Sequence, residues 1–260
     1  MRVAVIGCGP AGLAAAHAAF GLGADVNIYA PKSRTPQYGP LLLQRPIPGI
    51  NTDHPDGTIH QLVIGGTILD YRYKLYGDIN IAINGDILQP QYHAWNHRET
   101  YDKLWNLYSH YIVNKMVSPE ELLRMCEVFD LVVSTANARR LCIHKDEHHF
   151  EAKPVAITPE ASYPNQPDNT LIFNAGSDFG WVRSSMVFGV PVTEWPLADA
   201  PPDARVITKP ISTTCSCFPL VLRTGRFGKW RNETWVDTAY WDTYTAIESA
   251  MRREELDKVK

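Results

Sequence analysis

The sequence predicts an α/β protein: a buried parallel sheet flanked by helices, with a smaller antiparallel, β-rich part inserted into it. Three observations carry that expectation. Residues 1–30 read as a complete strand, glycine turn, helix and second strand. A second apolar run of the same character, Asp130-Leu131-Val132-Val133-Ser134-Thr135, returns much further along. Between and beyond these runs the chain is rich in Pro (19) and Gly (17) and breaks into short strand-like pieces. Bulk properties agree. At 260 residues, 45% hydrophobic and 20% charged, the chain has an ordinary globular composition and is long enough for one large domain or two closely joined ones. No run approaches the roughly 18 consecutive apolar residues of a membrane span. A net charge of −3 does not imply a broad electrostatic grip on nucleic acid.

Taken in order, Arg2-Val3-Ala4-Val5-Ile6 is a short β-branched run, as expected of a strand buried on both faces. Gly7-Cys8-Gly9-Pro10-Ala11-Gly12 follows at once, and residues 13–20 form a small-residue helix stopped by Gly21 and Gly23. Residues 24–29 are the next strand. Prolines at 40, 46 and 48 make residues 32–51 an extended loop. Residues 59–90 read as short strands with turns at Gly65-Gly66, Gly77-Asp78 and Asn84-Gly85. From 98 to 114, Tyr101, Leu104, Trp105, Tyr108, Tyr111 and Ile112 recur at helical spacing. Ser118-Pro119-Glu120-Glu121 supplies a cap, a first-turn proline and an acidic first turn for a helix reaching Cys126. The run from 130 to 135 rejoins the parallel sheet. Residues 170–174, 182–192 and 218–223 read as further strands, and Asp237 as the cap of a closing helix through Lys258.

The chemistry begins at the turn. In Gly7-x-Gly9-x-x-Gly12 the first glycine permits the tight turn, the second lets a pyrophosphate approach the backbone, and the third lets helix and strand pack closely. Amide hydrogens at the helix start, with their partial positive charge, then face the phosphates. With Pro10 and Ala11 in the turn, residues 1–30 resemble the FAD-binding fingerprint of the glutathione-reductase-type flavoproteins. The resemblance implies a Rossmann-like FAD-binding domain. It departs at Ala30, which holds the place where the family carries an acid for the adenosine ribose; that role passes to water or to Lys32, Ser33 and Arg34. The later strand, ending at Thr135, is similar to the one that passes beside the cofactor in these proteins. Gly225-Arg226-Phe227-Gly228-Lys229-Trp230, followed by Val236-Asp237, resembles the closing motif of the amine-oxidase and UDP-galactopyranose-mutase branch. The resemblance thus implies cofactor contacts at Gly7, Gly9, Pro10, Ala11, Gly12, Ala30, Thr135, Gly225, Arg226 and Asp237. It further implies a discontinuous FAD domain (1–50, 125–150 and 218–260) with a substrate part inserted at 51–124 and 151–217.

Only one dinucleotide fingerprint is present, so a separate NAD(P)H domain is not expected, and the substrate, a docking reductant or redox-neutral chemistry must account for turnover. Tyr38, Trp181 and Arg183 are the candidates for the substrate side, Arg183 because a guanidinium fixes a carboxylate or phosphate by paired hydrogen bonds. His93 and His97 mix possible acid–base groups with aromatics ahead of a helix. Zinc is not expected: Cys142-x-His144, with His148 and His149 nearby, and Cys215-x-Cys217 lack the usual spacer of about two to four residues. Arg223, Arg226, Lys229 and Arg231 form the densest basic cluster, suited to phosphates or nucleic acid or simply to water. The leading expectation is an FAD-dependent oxidoreductase of amine-oxidase type, with hydride passing from a small amine or amino-acid-like substrate to flavin N5. Small flavoproteins of this look occur in phage genomes among genes for modified DNA bases, so a flavin-dependent lyase or oxidase acting on an amino-acid-modified base is an alternative. A non-catalytic dinucleotide-binding module is another. Five cysteines (an odd number) and no secretory-type N-terminus lead to the expectation of a cytoplasmic protein, in the host cytoplasm if phage-encoded, with reduced thiols.

Overall fold

The computed structural model describes residues 1–39, 41–81, 89–232 and 234–258, with side chains through 253. Two sheets organise the described residues. The first has five strands, β1 (Arg2–Ile6), β2 (Asp25–Ala30), β6 (Ile112–Asn114), β7 (Leu131–Ser134) and β13 (Val221–Arg223), in the order β13-β7-β1-β2-β6 with every pair parallel. Side chains alternate across a strand, and β1 shows it directly. Val3 and Val5 pack with Leu13 of α1 (Pro10–Gly21), Leu104 of α3 (His97–Tyr108) and Tyr240 of α7 (Val236–Lys258). Ala4 and Ile6 pack on the opposite face with Leu122 and Met125 of α4 (Pro119–Val128). A parallel sheet covered on both faces is what continuous apolar strands require.

The second sheet is the larger. Its eight strands are β3 (Leu42–Leu43), β4 (Gly57–Ile64), β5 (Gln91–Asn96), β8 (Phe150–Thr158), β9 (Thr170–Asn174), β10 (Arg183–Val187), β11 (Val190–Trp195) and β12 (Arg205–Thr213). They run in the order β12-β8-β11-β10-β9-β4-β5-β3, antiparallel throughout except for the parallel pair β4–β9. Ile59, Leu171 and Phe173 of this sheet, with Val182 just ahead of β10, pack with Tyr71 and Leu75 of α2 (Ile68–Tyr76). Among the described residues the chain crosses between the sheets four times, after β2, β5, β7 and β12.

Several elements differ from the sequence expectation. Residues 68–76 are helical, not stranded: Thr67 and Asp70 make a reciprocal capping box, Tyr71 and Leu75 fall one turn apart on the buried face, and Gly77 ends the helix in the left-handed conformation. The helix expected over 98–114 stops at Tyr108, and Ile112–Asn114 becomes the edge strand beside β2. Asp237 lies inside the first turn of α7, after Val236, and does not cap it. The turn expected at Asn84-Gly85 and residue Pro40 lie outside the described residues. No helix of the described residues is long and apolar enough to cross a membrane.

Candidate active site

Four chain segments meet at the glycine turn. Gly7 takes a φ of +112°, closed to ordinary side chains, and a Cβ there would stand 2.5 Å from Thr135 Oγ1. Thr135 is fixed by its own N–H and hydroxyl, which donate to the Ile6 carbonyl at 2.9 and 3.1 Å. A Cβ on Gly12 would lie 2.0 Å from the Gly7 carbonyl oxygen, so helix α1 can leave the turn at this angle only with glycine there. From the C-terminal side, Gly225 opens α6 (Gly225–Lys229), and its Cβ position is 2.7 Å from the Ala11 Cβ. Pro10 is the first residue of α1, and Gly9 ahead of it offers no side-chain cap. The amide hydrogens of the first turn are therefore left for another acceptor. A Cβ on Gly9 would meet only Thr35, at 3.4 Å. The structure thus brings Gly7, Gly9, Pro10, Ala11, Gly12, Thr135 and Gly225 together.

Ala30 lies at the far end of β2, buried, and its carbonyl accepts from the Lys115 N–H. Of the polar trio beside it, Lys32 donates its backbone N–H to Asn114, and Arg34 pairs with Asp102 while lying over the rings of Tyr101 and Trp105 at 5.4 and 5.8 Å. Thr35 donates its N–H to the Tyr101 hydroxyl, and that hydroxyl donates to the Cys8 carbonyl. The loop after β2 is in this way laced to the glycine turn through α3.

Asp237 is 2% exposed, and among the described residues its Oδ1 has no hydrogen-bond partner. Its other oxygen stands 3.9 Å from Arg45 Nε. Burial pushes this carboxyl up to about 6, against the lowering effect of backbone amides and Arg45. An unmatched acceptor of this kind, in the first turn of α7, fits a hydroxyl-bearing ligand.

A second polar group sits on the larger sheet. Arg183 and Glu194 are direct cross-strand partners on β10 and β11, joined by an ion pair, and Lys209 reaches the same carboxylate from β12. Their side chains are 17%, 2% and 10% exposed. Burial alone would raise the Glu194 carboxyl, but the charges of Arg183 and Lys209 outweigh it and hold the group below the ordinary range. Burial lowers Lys209 to about 8. Arg226, carried in by α6, lies close enough to feel Arg183, Glu194 and Tyr76, and among the described residues it has no ion pair. Among the described residues three cations therefore share one carboxylate, and Arg183 Nε is itself buried without a partner. The group carries an excess of positive charge, which could hold an anion.

Other expected residues scatter. Gly39 lies against this group, its Cβ position 4.0 Å from Arg183 Nη2, while the Tyr38 ring turns to Arg205, 4.2 Å away. Trp181 is buried, stacked on Phe179, and its carbonyl accepts from Asn174; these are packing contacts. His93 is exposed beside Thr58. His97 is buried with Nδ1 unpartnered, and burial, with Arg98 and Arg226 nearby, drives it down to about 4, so it is a neutral imidazole. The basic cluster is dispersed: Arg223 binds the Cys215 carbonyl, Lys229 pairs with Asp242, and Arg231 stands in water. Glu194 and Lys209 were not singled out by sequence reasoning. Each is a charged residue at a buried position of its strand, a signal that has meaning only once the register is known.

No protein-family model and no curated protein matches the chain. Solved structures do. A reduced UDP-galactopyranose mutase superposes with a TM-score of 0.53 at 10% identity, covering 96% of this chain and 93% of its own. A tetrameric 2-methyl-3-hydroxypyridine-5-carboxylic acid oxygenase gives 0.52 at 13% identity, covering 93% and 79%. The chain shares the fold of these enzymes. A mutant of the same oxygenase gives 0.52 at 14% identity over 94% and 80%. At these identities the likeness speaks for the fold alone, and the chemistry has to come from the residues just described.

Proposed function

We propose that this chain is an FAD-dependent oxidoreductase acting on a small amine or amino-acid-like substrate that carries an anionic group. The observation that carries the reading is the convergence of Gly7, Gly12 and Gly225, each with no room for a side chain, with Thr135 around a helix start that no side chain caps. The residues fit the cofactor: the first amides of α1 would hold its pyrophosphate, and the unmatched Oδ1 of Asp237 would accept from a hydroxyl of its sugar-alcohol chain. FAD, when bound, supplies an acceptor for a hydride at flavin N5. Arg226 and Arg183 would fix the anionic group of the substrate, with Glu194 and Lys209 holding Arg183 in place. The same cations favour an amino acid over a neutral amine as substrate. The UDP-galactopyranose mutase and the carboxylic acid oxygenase of like fold are named for anionic compounds, in keeping with such a pocket.

The test starts with colour. The purified protein, or protein soaked with FAD and desalted, is expected to absorb near about 450 nm, and Gly9→Ala, which meets only Thr35, should fold normally yet lose that band. Anaerobic mixing with amino acids and with the corresponding decarboxylated amines should bleach the band with the former first. A protein that stays colourless overturns the cofactor; a yellow protein bleached by no amine or amino acid overturns the substrate class and leaves a binding module.

A further inference from the structure

The four residues set aside in the sequence for want of a regular spacing converge in space. Cys142 follows α5 (Ala138–Leu141), His148 lies in the loop before β8, and Cys215 and Cys217 lie in the loop between β12 and β13. Cys142 Sγ is 3.6 Å from Cys217 Sγ and 3.3 Å from His148 Nδ1, and Cys217 Sγ is 3.4 Å from the same nitrogen. With Cys215 included, all four donor atoms lie within 4.8 Å of one another. We propose that Cys142, His148, Cys215 and Cys217 are the ligands of a tetrahedral structural zinc site.

The distances suit a metal centre and exclude a disulfide. Zinc bonds of about 2.3 Å to sulfur and 2.0–2.1 Å to nitrogen place tetrahedral neighbours roughly 3.8 Å (S to S) and 3.6 Å (S to N) apart. A disulfide would bring two sulfurs to about 2.05 Å. The Cys142–Cys217, Cys142–His148 and Cys217–His148 separations are close to those of ligands around a common centre, each slightly contracted relative to a filled site, and Cys215 Sγ lies within 4.8 Å of the other three donors. Donor chemistry agrees, since three thiolates and an imidazole are a soft set that selects zinc over magnesium or calcium. All four positions are filled by protein, as in structural and not catalytic zinc centres.

The surroundings support the same charge. Backbone amides of Ile143 and His144 point at Cys217 Sγ, and Arg223 donates to the Cys215 carbonyl at 3.0 Å while its Nη2 stands 3.6 Å from the Cys215 sulfur. Three thiolates on a dication leave one negative charge, which this guanidinium offsets. Leu141, Phe218 and Val221 pack about Cys217 and keep one side dry. His144 and His149 take no part: the first pairs with Glu147, and the second bonds through its backbone to Thr214.

The location gives the site its work. The ligands come from two of the four crossings between the sheets, the one after β7 and the one after β12. A metal here would staple the departing chain to the returning chain, just beyond the Thr135 that braces the glycine turn. This inference does not depend on FAD. Protein produced with zinc in the medium and purified without chelators is expected to carry one zinc per chain by elemental mass spectrometry. Replacement by cobalt should give the intense thiolate charge-transfer and d–d bands of a tetrahedral site. Cys217→Ser and His148→Ala should lose the metal, Arg223→Gln should weaken its binding by about tenfold, and Cys126→Ser, on α4 away from the site, should keep it. Wild-type protein that holds no zinc, binds cobalt without thiolate bands, or shows a Cys142–Cys217 disulfide by mass spectrometry overturns the proposal. So does full zinc content in Cys217→Ser. Should that variant fail to fold, the cobalt spectrum of the wild type decides.

Discussion

Asp237 shows what one buried, incompletely partnered carboxyl costs a fold. Its ordinary value is 3.8 and its folded value about 6, so between these pH values the folded chain holds more of the proton than the unfolded chain. Stability from this group therefore falls as pH rises through that window, and above it the full penalty stands, on the order of 2–3 kcal/mol. Asp237→Asn is expected to raise the urea midpoint at pH 7.5 and to leave it unchanged near pH 4; parallel curves for the two proteins would show that the carboxylate is not strained. Lys209 behaves in the opposite direction with respect to charge. Because burial lowers it to about 8, the group around Glu194 loses one of its cations as pH rises through that value. The apparent affinity for an anionic substrate should fall over the same range, and Lys209→Met should flatten the profile, as read from the substrate concentration that half-bleaches the flavin.

At the level of elements, the glycine turn separates two substitutions that look alike in sequence. Gly12→Ala drives a methyl to 2.0 Å from a backbone oxygen, with no flexible neighbour to yield, whereas Gly9→Ala meets Thr35 at a tolerable 3.4 Å. Thermal melting should show a loss of several kcal/mol for the first, typical of strain at a packed backbone, and little for the second. Helix α4 offers a smaller test: Ser118 accepts from the Glu121 N–H and Glu121 reciprocates, so Ser118→Ala should cost about 1 kcal/mol. The elements that were legible in the sequence share one property, namely that their signals are local. The β1–α1–β2 unit carries its strand, turn and helix within consecutive residues, and Ser118-Pro119 announces α4. Helix α2 was hidden because Thr67 and Asp70 cap a stretch of mixed aromatics that alternates well enough to pass for strand. Ile112–Asn114 was hidden because Ile112 continues the spacing of α3, and only its place beside β2 decides its form.

On the scale of the molecule, the candidate site divides in the same way. The glycine turn proper lies in one short segment and was readable as a motif, while the polar group on the larger sheet needs Arg183 opposite Glu194, a register that two strands acquire only on pairing. The metal ligands are a stronger case: Cys142 and Cys217 belong to different crossings, and no spacing rule relates them. If FAD binds the folded chain alone, mass action should stabilise it by about 2.7 kcal/mol at a hundredfold excess over Kd. Calorimetry with and without FAD checks this, and an unmoved melting temperature in a protein that retains the yellow band would mean that the unfolded chain binds equally well.

The position of β1 in the middle of its sheet has a consequence for biosynthesis. Its first neighbour, β2, leaves the ribosome almost immediately, but the opposite side waits until residue 131 has been made, and β7 then waits in turn for residue 221. At translation speeds of about 5–20 residues per second, the bare flank of β1 stays open for on the order of 6–25 s. Production in cells should therefore respond to trigger-factor-type holdases and to cooler growth more than the finished protein's stability would suggest.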